Sequence, residues 1–477
     1  MNFRMIKNIL GWILIFEAAF MLIPLITAAI YWEDVFFSFL ITIGICLLVG
    51  FLCIWKKPAN KTLYSREGFV IVSASWIVLS LFGALPFFIS GEIPSYIDAF
   101  FEIVSGLTTT GSSILTNVEG MSHAGLMWRS FSNWIGGMGV LVFVMAFVPL
   151  SGGNNMHIMK AESPGPSVSK LVPKVKTTAL LLYLIYIVLT AVEFILLLFG
   201  DMNVFEAVCT SFSTAGTGGF GIKGDSFLSF SSYSQIVVTV FMFLFSINFA
   251  SYYLILLKQF KDAFTTEVKC FIILFVSSIT IITLNTMGMF ASIGDAIKHV
   301  SFTVASIIST AGFSTVDFDL WPELSRTILV LLMFTGGCAG ATCGGIKLSR
   351  IIIMIKSVAK EIRIMIHPKQ VKKISIDKVP VEHEVVRATN VYMICYLSLF
   401  VVSLILISFG NHDFETSFTA TASSLNNIGP GLSAVGPTQN YAFFNPFEKL
   451  LLCFNMLAGR LELFPMLLLF SPSTWKK

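Results

Sequence analysis

Long apolar runs alternate with short polar segments along nearly the whole chain. A bilayer crossing takes about 20 residues at 1.5 Å rise each. Runs of that length fall at 6–31, 36–55, 68–90, 130–150, 178–200, 232–257, 268–290, 326–366, 389–410 and 447–471, so the pattern predicts ten crossings. The run 326–366 is too long for one helix. It is interrupted by FTGGCAGATCGGIK, which predicts a crossing broken at membrane depth whose second half continues into the cytoplasm.

Four connections on one side of this array share a layout: YIDAFFEIVSGLTTTGSSI (96–114), VFEAVCTSFSTAGTGGFG (204–221), DAIKHVSFTVASIISTAGFSTVD (295–317) and FETSFTATASSLNNIGPGLS (414–433). Each has an acidic residue, an amphipathic stretch too short to cross, and a Thr/Ser/Asn-rich turn centred on glycine. Flanked by crossings, such a stretch reads as a half-helix that dips into the membrane and returns. Non-helical backbone at that depth is tolerated only when it is buried in protein or lines a water-filled path. Four half-helices entering from one side would aim their partly negative C-terminal ends at a common axis, while the turns offer backbone carbonyls to a dehydrated cation. Glycine there permits the positive φ that such alignment often needs. The acids Asp98, Glu206, Asp295 and Asp413 or Glu415 suit the positive N-terminal ends.

Composition strengthens the membrane reading. Hydrophobic residues make up 55% of the chain and charged residues 12%, with a mean hydropathy of +0.83, far outside the soluble range. Twenty-five of the 31 lysines and arginines fall on one side of a ten-crossing topology, including ten in 347–387. Both termini are therefore expected in the cytoplasm, and the opposite face is acidic enough to attract cations. The net charge of +4 follows from topology and does not point to nucleic acid. The first apolar run is too long for a signal-peptide core and lacks a small-residue cleavage site. The eight cysteines show no CxxC spacing and the six histidines no ligand-like pair, so the cysteines read as small core residues.

Two motifs imitate nucleotide sites. GTGGFG (216–221) satisfies GxGxxG but follows no strand, and GATCGGIK (340–347) has Ile346 where a phosphate-binding loop needs glycine next to its lysine. No convergent set of acids, His or Cys suggests a membrane enzyme. A secondary transporter with inverted repeats would have halves of opposite topology, whereas all four units here enter from one side.

A helix, pore-loop, helix unit repeated four times, with turns LTTTG, TGGF, STAGF and NNIGPG, resembles the Trk/Ktr/HKT potassium-uptake family over nearly the whole chain. Two extra helices before the first unit resemble its TrkH/TrkG-type membrane subunits rather than KtrB. The resemblance implies an all-α polytopic fold around a pseudo-fourfold pore. It divides the chain into a two-helix extension (1–60) and four pore repeats (61–165, 166–262, 263–375 and 376–477). It also implies a selectivity filter at Gly111, Gly218, Gly312 and Gly429 with the carbonyls of Thr109, Thr110, Gly216, Thr217, Thr310, Ala311, Asn427 and Ile428. In the second repeat the alternative register places the filter glycine at Gly216.

The break TGGCAGATCGG (335–345), with Gly336, Gly337, Gly340, Gly344 and Gly345, lies inward of the third turn and is expected to act as a gate. Glycine destabilises a helix by about 1 kcal/mol relative to alanine. Arg460, lone and deep in the last apolar run, reads as a positive barrier in the inner path, matching an intrapore arginine of the family. A salt bridge with Glu462 or another acid is the alternative. The resemblance further implies potassium as the transported ion, no cofactor bound by this chain, a homodimer in the bacterial inner membrane, and a cytosolic nucleotide-sensing ring of TrkA type with RCK domains. Segments 347–387 and 151–177 are candidate docking surfaces. Passive conduction and coupling to sodium or protons both remain open at this point.

Overall fold

The computed structural model describes residues 1–56, 63–139, 175–368, 373–377 and 379–475. Six helical spans among them are long and apolar enough to cross a bilayer: Phe3–Tyr31, Phe36–Ile54, Arg66–Ser90, Leu180–Leu198, Thr266–Met289 and His383–Ser408. Proline accounts for two breaks inside these spans. Pro24 and Pro86 have no N–H to return to the preceding turn, and the helices break at Met21 and Ala84. Side chains such as Leu184, Ile273 and Ile394 stand exposed on the long spans, as a lipid-facing surface requires.

The two N-terminal helices pack closely because glycine faces glycine. A β-carbon on Gly11 would lie 2.8 Å from the carbonyl oxygen of Gly50, an approach that small residues make possible between membrane helices.

After this pair the same sequence of elements occurs four times. A long helix is followed by a half-helix, a turn and a return helix. The half-helices are Tyr96–Leu107, Val204–Gly216, Ile293–Ile308 and Phe414–Asn426. Their N-caps, Ser95, Asn203, Ser292 and Asp413, each accept a bond from the backbone three residues on. Asp98, Glu206, Asp295 and Glu415 occupy the first turns. In the fourth repeat, then, Asp413 is the cap and Glu415 the first-turn acid. At 12 to 16 residues and 1.5 Å per residue, none of the four spans the membrane.

The return helices, His123–Gly137, Ser232–Phe245, Glu323–Thr335 and Pro446–Arg460, stop after 13 to 15 residues. The runs 232–257 and 447–471 are therefore each interrupted rather than one continuous helix. In the second repeat the chain bends by 92° between Ser232–Phe245 and Phe249–Leu256. Phe249 N–H donates to Gly340 at 3.2 Å instead of to Phe245, and the Phe245 carbonyl accepts from the Thr342 hydroxyl at 3.2 Å. In the fourth, Glu462 and Leu463 adopt positive φ, Pro465 lacks a donor, and the helix resumes at Phe464–Phe470. The third repeat breaks where its glycines predict, and continues as Leu348–Ile366. The part of the 130–150 run beyond residue 139 lies outside the described residues, as does all but the end of the 151–177 loop.

Candidate ion pore

The four half-helices end alike. In each, the second residue after the C-terminal turn donates its N–H five residues back: Thr110 to Ser105 at 2.8 Å, Gly218 to Ser213 at 2.9 Å, Ala311 to Ser306 at 2.9 Å and Ile428 to Ser423 at 3.1 Å. The residue before it donates three residues back in the first three repeats, Thr109 to Gly106, Thr217 to Thr214 and Thr310 to Ile307. This is a Schellman-type helix end, which needs a left-handed residue. Glycine normally fills that position. Here it is Thr109 (φ 57°), Thr217 (φ 54°), Thr310 (φ 59°) and Asn427 (φ 56°). A β-branched residue at positive φ is unusual, and such strain concentrates where the backbone is put to use.

Two residues further on stand Gly111 (φ 82°), Gly219 (φ 68°), Gly312 (φ 80°) and Gly429 (φ 101°). This corrects the expected register of the second repeat. Gly219 is the counterpart of the other three glycines, Gly218 is the residue before it, and Gly216 is the last residue of the half-helix.

These glycines close a ring. A β-carbon on Gly111 would come within 3.0 Å of the Gly218 carbonyl oxygen, one on Gly219 of Ala311, one on Gly312 of Ile428, and one on Gly429 of Thr110. Each turn thus touches the next, and the fourth touches the first. The carbonyls of Thr110, Gly218, Ala311 and Ile428 belong to buried residues and receive no hydrogen bond among the described residues. Buried carbonyls are ordinarily paired, so four unpaired ones around an axis suit a dehydrated cation. A cavity of about 150 Å³ is lined by all four ring glycines. At the N-terminal ends of the half-helices, hydrogen bonds from Thr416 and from Ser292 hold the carboxyls of Asp413 and Asp295 below the usual carboxylate range. Both are anionic at the helices' positive ends.

The mouth of this cavity is braced by a pair that periodicity did not single out. Arg129 Nε donates to Glu102 Oε1 at 2.8 Å, with the side chains 2% and 0% exposed. Glu102 also accepts from Ser113 Oγ and Ile114 N, and Arg129 lies 4.2 Å over the Phe220 ring.

Beneath the ring lies the glycine-rich loop. Gly336, Gly340 and Gly345 have positive φ. The Gly344 N–H donates to the Thr310 hydroxyl at 2.8 Å, and a β-carbon on Gly344 would collide with the Asn426 carbonyl. Gly337 packs against Cys343 and Ser246. The loop is thereby brought under the third and fourth turns. Arg460, the last residue of the fourth return helix, donates to the Thr342 carbonyl at 2.7 Å and to the carbonyls of Gly136 and Gly137. Glu462 is paired with Arg350. Lys347, counted on sequence grounds among the ten basic residues of the 347–387 docking segment, is buried, with its ammonium on the Cys343 carbonyl. Among the described residues no group of three or more His, Cys, Asp or Glu side chains could hold a metal ion.

Fold and site define a helical, membrane-embedded protein in which four re-entrant turns ring one axis. The profile of the TrkH family, described as cation transport protein, matches residues 36–477. The chain is 35% identical to the Trk system potassium uptake protein TrkH of Escherichia coli K12, with all of both chains covered. It is 32% identical to TrkG of the same organism over 99% of each. The crystal structure of the potassium transporter TrkH from Vibrio parahaemolyticus superposes with a TM-score of 0.89 at 31% identity, covering both chains completely. The chain belongs to the TrkH family of cation transport proteins.

Proposed function

We propose that this chain takes up potassium across the bacterial inner membrane through a pore ringed by its four turns. The observation that carries this reading is the closed ring of unpaired carbonyls, Thr110, Gly218, Ala311 and Ile428, each against the glycine of the neighbouring repeat. Such carbonyls replace an ion's hydration shell. The half-helices add their partly negative C-terminal ends, and the filter includes the carbonyls of Thr109, Thr217, Thr310 and Asn427. The names of the relatives, potassium uptake proteins, point the same way. Transport rather than catalysis is the activity, with both termini in the cytoplasm on the charge pattern.

The glycine-rich loop and Arg460 act as the gate beneath this filter. A homodimer, regulated by a cytosolic ring with RCK domains, is the working form. Potassium flux into liposomes containing the purified protein tests the reading. Selective potassium and rubidium entry over sodium is expected, and equal sodium and potassium entry would refute it. Repeating the assay with imposed sodium and proton gradients separates passive conduction, which responds only to potassium's own gradient and the voltage, from coupled uptake.

A further inference from the structure

A single carboxylate oxygen ties the loop beneath the ring to the helix that follows it. Glu267 Oε1, on the first turn of Thr266–Thr286, accepts the N–H of Ala339 at 2.8 Å and that of Ser349 at 3.0 Å. Ala339 lies within the loop 335–345, and Ser349 lies beyond its C-terminal end. Ser349 also stands in the first turn of Leu348–Ile366, where backbone N–H groups have no intrahelical acceptor. Lys347 gives that helix no side-chain cap and sits at φ 75°. Glu267 therefore caps the outgoing helix from a neighbouring one, with charge-assisted bonds of the stronger kind.

Next to Glu267 a second carboxylate is engaged. Asp377 Oδ1 accepts from the Thr266 N–H at 2.7 Å and the Thr266 hydroxyl at 2.6 Å. Asp377 belongs to the turn of a short hairpin, in which Ser375 pairs with Pro380 and Ile376 with Val379. The hairpin is fastened to Leu348–Ile366 by a bond from Lys356 Nζ to the Ser375 carbonyl at 2.7 Å. On its other side the loop reaches the third turn through Gly344 N–H and the Thr310 hydroxyl. Polar contacts and one covalent step thus connect the hairpin to the ring: Asp377, Thr266, Glu267, the loop, Thr310.

We propose that Asp377 and Glu267 form a relay that latches the glycine-rich loop under the pore, so that displacing the hairpin releases the loop. Both are positioning residues, and the relay rests on the reading of the loop as a gate. Its direction follows from the contacts. Asp377 fixes the N-terminus of Thr266–Thr286, that N-terminus carries Glu267, and Glu267 closes the loop. Ser375, Asp377, Val379 and Pro380 of the hairpin are exposed, which makes it the end of the relay that a regulatory partner can reach.

The test uses the full-length protein in liposomes and its native Cys343, a loop thiol that is 1% exposed. Alkylation of Cys343 by N-ethylmaleimide, followed by mass spectrometry, reports loop release, and potassium flux is measured on the same samples. Glu267→Ala removes two charge-assisted bonds, so Cys343 labelling is expected to quicken about tenfold or more. Flux should rise with the potassium-to-sodium ratio unchanged. Glu267→Gln retains an acceptor oxygen without the charge and should fall between the parent protein and Glu267→Ala in both readouts. Asp377→Ala should shift both in the same direction by less, and adding it to Glu267→Ala should change nothing further. Faster labelling with unaltered flux would keep the latch and remove the loop from the gate's role. Unaltered labelling in a folded Glu267→Ala protein would overturn the latch. If that variant does not fold, the exposed Asp377→Ala decides, because parent-like labelling there overturns the relay.

Discussion

A β-carbon added to Gly219 would overlap the carbonyl oxygen of Ala311 in the next repeat. Backbone on both sides leaves no side chain to swing away, and at φ 68° any L-residue also bears the left-handed cost of about 1–2 kcal/mol.

Gly219→Ala is therefore expected to abolish potassium preference over sodium or to prevent assembly. Gly218 differs in kind. Its φ is not positive, and the obstacle to a β-carbon there is the amide side chain of Asn133. Gly218→Ala should be damaging alone and regain ion preference when combined with Asn133→Ala. Gly219→Ala should gain nothing from that partner change. Flux ratios per folded molecule check this. Rescue of Gly219→Ala, or parent-like selectivity in it alone, would return the filter position to Gly218.

The Arg129–Glu102 pair predicts stability rather than selectivity. With the two side chains 2% and 0% exposed, removing either partner leaves an uncompensated buried charge, which costs about 3–5 kcal/mol. Arg129→Ala and Glu102→Ala should each lower the thermal midpoint sharply, and the double variant should lose much less than the sum of the two. Arg129→Lys should recover only part of the loss, because an ammonium cannot reproduce the guanidinium fork that also reaches Gly221 and Ser113. Strict additivity in the double-mutant cycle would show that the two side chains do not interact in the membrane-embedded protein.

What the sequence made legible was what repeats locally. The four half-helices follow from a cap, a first-turn acid and a glycine turn, and the break at 335–345 from glycine density. The register of the second turn did not follow. The run AGTGGF holds three glycines, and only the sign of φ, which depends on the neighbouring repeat's carbonyl, separates Gly219 from Gly216 and Gly218. The bend between Phe245 and Phe249 was hidden for a similar reason. Nothing in FSINF forbids a helix, and the bonds that replace its ladder come from Gly340 and Thr342 about ninety positions away. Lys347 and Glu267 look like ordinary charged residues at a membrane boundary until the loop folds back over them.

Arg460 permits a test between two ways of obstructing an ion. As a bare charge about 10 Å from the path, at an effective dielectric of about 20, it would repel potassium by roughly 1.7 kcal/mol. Its contacts add a mechanical role, since one guanidinium joins the loop, through Thr342, to the C-terminal end of the first return helix, through Gly136 and Gly137. That end carries partial negative charge, which favours a cation there. Arg460→Ala removes both effects and should raise maximal flux several-fold with the filter's ion preference retained. Arg460→Lys separates them, because lysine keeps the charge but not the planar fork that holds three carbonyls at once. If the tie dominates, as the three carbonyl contacts favour, the lysine variant should conduct nearly as fast as the alanine variant. It should also release the loop, with Cys343 labelling faster than in the parent protein. Parent-like flux in Arg460→Lys together with high flux in Arg460→Ala would instead assign the barrier to charge alone.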